Sequence, residues 1–122
     1  MDVLVVDDED IVRDLMVEIL ARAGLTVHGA ATADDALLAL ETKEIDVVVT
    51  DALMPHISGF ELLQELKRIR PELPVIVATA AATERTFLEA RAAGAIDVLT
   101  KPFTHAELVE AVLSAARRSP QR

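Results

Sequence analysis

Five short runs of β-branched and aliphatic residues recur along the chain. Each is followed by a longer stretch in which apolar residues return every three or four positions. The short runs are Val3–Val6, Thr26–Gly29, Asp46–Thr50, Val75–Thr79 and Ile96–Thr100, and their length and composition predict strands. The longer stretches carry helical spacing. They are Ile11, Leu15 and Ile19 with Val12 and Met16; Leu37, Leu38 and Leu40; Phe60, Leu62, Leu63 and Leu66 with Ile69; Phe87 and Leu88; and Leu108, Val109, Val112 and Leu113.

The punctuation agrees with this period. Thr32, Ser58 and Thr104 each precede an acid by three residues (Asp35, Glu61, Glu107), the spacing of a capping box at a helix start. Gly24 is placed to end the first helix and Gly94 the fourth, while Pro71 and Pro74 close the third. The sum is a β-α unit repeated five times. Strands that are apolar on both faces and joined by helices imply a parallel sheet covered on both sides, with right-handed crossovers. The 122 residues suit one domain, and a chain of that length hides roughly two-thirds of its surface on folding. Residues 1–117 read as that domain, and 118–122 as a polar tail or the beginning of a linker.

Composition narrows the function. Hydrophobic residues make up 52% of the chain and aromatics only 2%, so the core is aliphatic and rings on which bases could stack are scarce. A formal net charge of -9 disfavours nucleic acid and anionic membrane as partners, since their phosphates repel a net acid. The absence of cysteine excludes disulfides, thiol catalysis and zinc-thiolate sites. The acidic start MDVLVVDDED is no signal peptide, and no apolar run approaches the about 20 residues that span a bilayer. Both fit the cytoplasm.

The polar residues fall where the strands stop. The first strand delivers Asp7 and Asp8, the third Asp51, the fourth Thr79 and the fifth Lys101. In an open parallel sheet, ligands bind beyond the carboxyl ends of the strands. Three carboxylates gathered there repel one another unless they take up protons or share a cation. A hard divalent ion answers that need, and magnesium fits because it uses few carboxylates and keeps several waters. Lys101 adds a positive charge and Thr79 a hydroxyl donor. This set suits a phosphoryl group, and Asp51 could itself attack phosphorus as a carboxylate nucleophile.

Asp7-Asp8 after the first strand, Asp51 with Met54-Pro55 and Gly59, Thr79-Ala80, and Lys101-Pro102-Phe103 together resemble the receiver domain of two-component response regulators, over about residues 2 to 116. The resemblance implies a flavodoxin-like α/β fold with a five-stranded parallel sheet in the order 2-1-3-4-5. It implies that Asp51 accepts a phosphoryl group from a histidine kinase or a histidine phosphotransfer domain. Asp8 and Asp51 would ligate Mg2+ directly, Asp7 largely through water, and the backbone carbonyl of Leu53 would complete the protein ligands. Lys101 would pair with the phosphoryl group, Thr79 would turn inward to bond it, and the Lys101-Pro102 peptide would be cis. The signal would leave through the face made by the fourth helix, fifth strand and fifth helix. It would reach a downstream protein or an attached output domain, of which this sequence carries none. Such a chain is a switch rather than an enzyme: it takes up phosphoryl from a donor and loses it slowly.

Three positions depart from that pattern. Val98 stands where the family usually carries Tyr or Phe, and valine has one stiff torsion and no ring to swing. Leu53 and Ala81 stand where polar side chains help position water in relatives, which implies a longer-lived phosphoaspartate. His28, His56 and His105 lack metal-ligand spacing and read as surface residues. Met54 and Pro55 shape the site loop, Phe103 anchors the start of the last helix in the core, and Arg85 and Arg91 lie on a solvated helix face.

Two other functions compete. A metal-dependent phosphohydrolase resembling the Asp-x-Asp type would need a second acid at the position of Leu53. A degenerate receiver, binding partners without phosphorylation, is favoured by Val98 and disfavoured by the complete set of aspartates, threonine and lysine. Nucleotide binding lacks any Gly-x-Gly-x-x-Gly or Walker lysine loop. Dimerisation through the fourth and fifth helices lacks a long apolar stripe.

Overall fold

A computed structural model describes residues 1–52, 59–80 and 83–118. Five strands, β1 (Asp2–Val6), β2 (Thr26–Ala30), β3 (Val47–Asp51), β4 (Val75–Thr79) and β5 (Asp97–Thr100), alternate with five helices. These are α1 (Asp10–Arg22), α2 (Ala33–Thr42), α3 (Gly59–Ile69), α4 (Glu84–Ala92) and α5 (His105–Arg118). All strand pairings are parallel, and the order is β2-β1-β3-β4-β5. Each predicted strand is present to within one residue at either end. Among the described residues, no helix is long and apolar enough to cross a membrane.

Two cores lie on opposite faces of this sheet, and the two-residue period of a strand assigns each side chain to one of them. Val3 and Val5, Val47 and Val49, Ile76 and Ala78, and Leu99 pack with Met16 and Leu20 of α1 and with Leu108 and Val112 of α5. Leu4 and Val6, Val48, and Val75 and Val77 pack with Ala36 and Leu40 of α2, Leu62, Leu63 and Leu66 of α3, and Ala90 of α4. β1, β3 and β4 are therefore apolar on both faces. β2 is not: as an edge strand it leaves Thr26 and Gly29 exposed and His28 half-buried.

The apolar row Ile11, Leu15, Ile19 does not form the buried stripe its spacing suggests. With about 3.6 residues per turn, each four-residue step overshoots a full circle by about 40°. The row therefore winds around the helix, and exposure falls from 85% at Ile11 to 51% at Leu15 and 7% at Ile19. The buried face of α1 is Met16, Ile19 and Leu20. Leu38 and Leu88 also face solvent.

The ends of the helices follow the sequence signals. α1 and α4 both finish in a Schellman motif. Gly24 has φ 92° and Gly94 φ 106°, and the amides of Leu25 and Ala95 bond back to the carbonyls of Leu20 and Ala90 at 3.2 and 2.9 Å. Thr32 Oγ1 accepts from the Asp35 amide at 3.1 Å. At α5 the capping box is reciprocal. Thr104 Oγ1 accepts from the Glu107 amide at 3.1 Å, and Glu107 Oε1 accepts from the Thr104 amide at 2.8 Å. α4 uses a cap that the acid-at-three rule passes over, Thr83 Oγ1 accepting from the Thr86 amide at 3.2 Å. Ser58 lies outside the described residues. Thr104→Ala leaves the Glu107 amide at the start of α5 without its side-chain partner and is expected to lower stability by about 1 kcal/mol. Urea unfolding followed by circular dichroism measures it, and an unchanged midpoint would show that α5 does not need this cap.

Candidate functional site

Register brings the strand ends together. Val6 of β1 pairs with Thr50 of β3, Asp51 with Ala78 of β4, and Thr79 with Thr100 of β5. The residues that follow therefore reach one edge of the sheet. Asp7, Asp51 and Lys101 continue the rows Val3-Val5, Val47-Val49 and Leu99, so by alternation they belong to the face covered by α1 and α5. Thr79 continues Val75-Val77 and belongs to the other face. Residues distant in sequence now touch: Lys101 Nζ lies 3.1 Å from Asp7 Oδ2 and 3.3 Å from Asp51 Oδ1. Asp7, Asp51 and Thr79 are buried, and Asp8 is exposed.

Asp7 is held on both oxygens, since its Oδ1 accepts from the Glu9 amide at 2.9 Å while Oδ2 meets Lys101. Its own amide donates to the Ala30 carbonyl at 3.1 Å. The carboxylate of Asp8 makes no hydrogen bond or ion pair to any described residue. One oxygen each from Asp7, Asp8 and Asp51 lies within 4.8 Å of the others. Three carboxylates against one ammonium leave a double negative charge, the amount a divalent cation neutralises. A hard divalent ion such as Mg2+ takes carboxylate oxygens of this kind, and these residues could hold one directly or through its waters. Receiver-type chemistry thus fits the donors present.

Two opposed effects act on Lys101. Burial, the largest single influence, pulls its pKa down. The charges of Asp51 and Asp7 and the hydrogen bonds to both together outweigh it and hold the ammonium above the ordinary lysine value. The lysine is therefore protonated at any physiological pH.

The Lys101-Pro102 peptide is cis, as the resemblance implied. Val98 is half-buried and packs with the core of the α2-α3-α4 face. Phe103 is half-buried against the other core, at its margin rather than within it. His105 is exposed, but His28 is not a plain surface residue: its Nε2 lies 3.0 Å from Asp2 Oδ2. Arg85 lies on an exposed face, paired with Glu89 at 2.9 Å. Arg91 is exposed. Leu53, Met54, Pro55, His56 and Ala81 lie outside the described residues.

Sequence reasoning passed over Arg13. Its Nη1 donates to the backbone carbonyl of Asp7 at 2.9 Å, and its Nη2 meets Asp10 Oδ1 at 2.6 Å. Its stem crosses Gly29 of β2, where an added Cβ would stand 3.4 Å from Arg13 Cδ. The only signal in the sequence is the three-residue spacing from Asp10, which marks an ordinary surface pair.

Known proteins match this chain along most of its length. The family model of the response regulator receiver domain matches residues 3–113. The DNA-binding transcriptional regulator NtrC of Rhizobium meliloti is 37% identical over 120 residues, 98% of this chain and 25% of that protein. The chemotaxis protein CheY of Thermotoga maritima is 34% identical over 111 residues, 90% of this chain and 92% of that protein. Among solved structures, the receiver domain of NtrX from Brucella abortus superposes with a TM-score of 0.91 at 35% identity, covering 97% of this chain and all of that one. The chain thus spans about a quarter of the length of the NtrC relatives and nearly the whole of CheY.

Proposed function

The chain belongs to the response regulator receiver domain family, and from that premise we propose that Asp51 accepts a phosphoryl group from a histidine kinase or a histidine phosphotransfer domain. Receiver domains are signalling modules rather than enzymes, and they bind Mg2+ through acidic residues. The observation that carries the reading is the bridge by Lys101 Nζ, 3.1 Å from Asp7 and 3.3 Å from Asp51. It sets a fixed positive charge beside the one carboxylate that ends a fully buried strand.

An Asp51 carboxylate oxygen attacks phosphorus of the phosphohistidine. The new O–P bond forms as the P–N bond breaks, and the electron pair of that bond stays on the imidazole nitrogen. Lys101 neutralises charge on the transferring oxygens without reorganising, because its neighbours already hold it in position. Thr79 supplies a hydroxyl donor from the β4 end. Asp7, Asp8, Asp51 and the backbone carbonyl of Leu53 are the residues we assign to hold Mg2+. The bound ion supplies Lewis-acid stabilisation of the phosphoryl oxygens. The phosphorylated state would alter partner binding through the face of α4, β5 and α5, in the cytoplasm. The receiver unit would run over residues 1–117, with 118–122 leading toward a connector, and the recipient of the signal would be a separate protein or an attached output domain.

Incubation with Mg2+ and phosphoramidate, read by intact mass, tests this. One added phosphoryl group per chain is expected, and chelation of the metal should suppress it. No adduct with metal present would overturn the reading in favour of a receiver that binds partners without phosphorylation.

A further inference from the structure

We propose that Arg13 is a positioning residue, which aims the Asp8 carboxylate at the cation site by clamping the peptide between Asp7 and Asp8. This rests on the Mg2+-dependent reading above and adds to it a residue that touches neither ion nor phosphoryl group.

The three acids of the cluster are not held alike. Asp51 lies within β3, and Asp7 is gripped through both carboxylate oxygens, its amide and its carbonyl. Asp8 has no side-chain partner among the described residues and is exposed. Its carboxylate is carried by the backbone of the turn from β1 into α1. Within that turn Asp7 Oδ1 accepts from the Glu9 amide, while Glu9 occupies the N-cap of α1 without a side-chain cap bond, so the peptide after Asp7 is fixed from outside the turn. The carbonyl that accepts from Arg13 Nη1 at 2.9 Å belongs to the Asp7–Asp8 peptide itself. The other arm of the guanidinium reaches Asp10 at 2.6 Å, so one rigid fork spans the turn from its first residue to its last. Exposed ion pairs contribute little. Here the arginine side chain is only 17% exposed, and its bond to the carbonyl is charge-assisted. A Cβ at Gly29 would stand in ordinary contact with the Arg13 stem, 3.4 Å from Cδ, and the two γ-methyls of a valine would press on it.

The sign of the effect separates positioning from simple charge. A guanidinium acting only as a nearby positive charge would repel a divalent cation, and its removal would tighten binding. Positioning predicts the reverse. Mg2+ binding by the whole chain, measured by calorimetry, should weaken about tenfold in Arg13→Ala. It should weaken comparably in Gly29→Val, which keeps the charge but displaces the stem. Arg13→Lys should fall between, because one ammonium cannot serve both acceptors. Amide NMR signals of Asp8 and Glu9 should shift in the metal-free variants, with circular dichroism establishing that each is folded. Native-like or tighter binding in Arg13→Ala and Gly29→Val would overturn the proposal. If Arg13→Ala does not fold, equal affinity in Gly29→Val and the native chain would do so. A native chain that binds no Mg2+ would overturn the cation site and, with it, this inference.

Discussion

Asp51→Asn is expected to abolish the phosphoryl adduct completely while leaving the protein folded. The amide keeps the volume of the carboxylate at the end of β3, so the packing beneath it, Val47 and Val49 on one face and Val48 on the other, is undisturbed. What disappears is the nucleophilic oxygen pair, since an amide oxygen does not form a stable acyl phosphate under these conditions. The electrostatic balance improves in the absence of metal. Three clustered carboxylates facing one lysine become two, so repulsion within the buried site falls. Thermal unfolding without Mg2+ should therefore occur at the same temperature as in the native chain or higher, while Mg2+ binding weakens. Intact mass after exposure to phosphoramidate reads the first outcome and calorimetry the last. An adduct of equal yield in the variant would move the acceptor to another residue.

Lys101→Met should slow phosphoryl uptake by about 10²- to 10³-fold, the usual cost of removing one preorganised charge donor. Methionine preserves much of the stem volume but leaves Asp7 and Asp51 facing each other without the ammonium that lies within 3.3 Å of both. The metal-free variant should be destabilised, and Mg2+ should restore more stability to it than to the native chain. Alkaline titration gives a second signature. The folded protein holds the Lys101 pKa above its ordinary value, so the lysine adds stability at all pH values below the ordinary one. That contribution is lost as pH rises through the folded value. The native chain should therefore lose stability on the strongly alkaline side by an increment that Lys101→Met lacks. Time courses of adduct formation and denaturant midpoints across pH check both expectations. Uptake at the native rate would remove Lys101 from the chemistry.

How much of this could be read from the residues alone depends on what kind of contact each one makes. Val47-Val48-Val49 and Val75-Ile76-Val77 announce buried strands because both faces demand apolar side chains, and their polar terminators Asp51 and Thr79 then mark the site edge. Thr32 and Thr104 are legible as caps because their partners sit three residues on. Sheet order was legible only through resemblance. The exposure of Thr26 and Gly29 in β2 is a physical hint of an edge strand, yet the alternation is too short to rank the strands. Ile11 and Leu15 misled because a four-residue row precesses around a helix, and only the packing of α1 against the sheet decides which part of the row is covered. Arg13 was invisible for a different reason. Its important partner is a main-chain oxygen, which every residue possesses and no sequence pattern distinguishes.

The parity of the strands has a further consequence. Asp7, Asp51 and Lys101 share the α1-α5 layer, whereas Thr79 extends the row that lines the α2-α3-α4 layer. A phosphoryl group on Asp51, as proposed, would therefore sit on one side of a stiff partition, and the hydroxyl at its rim is rooted in the opposite compartment. News of that group's arrival need not tunnel through aliphatic packing, for it can step over the lip of the sheet at a single side chain.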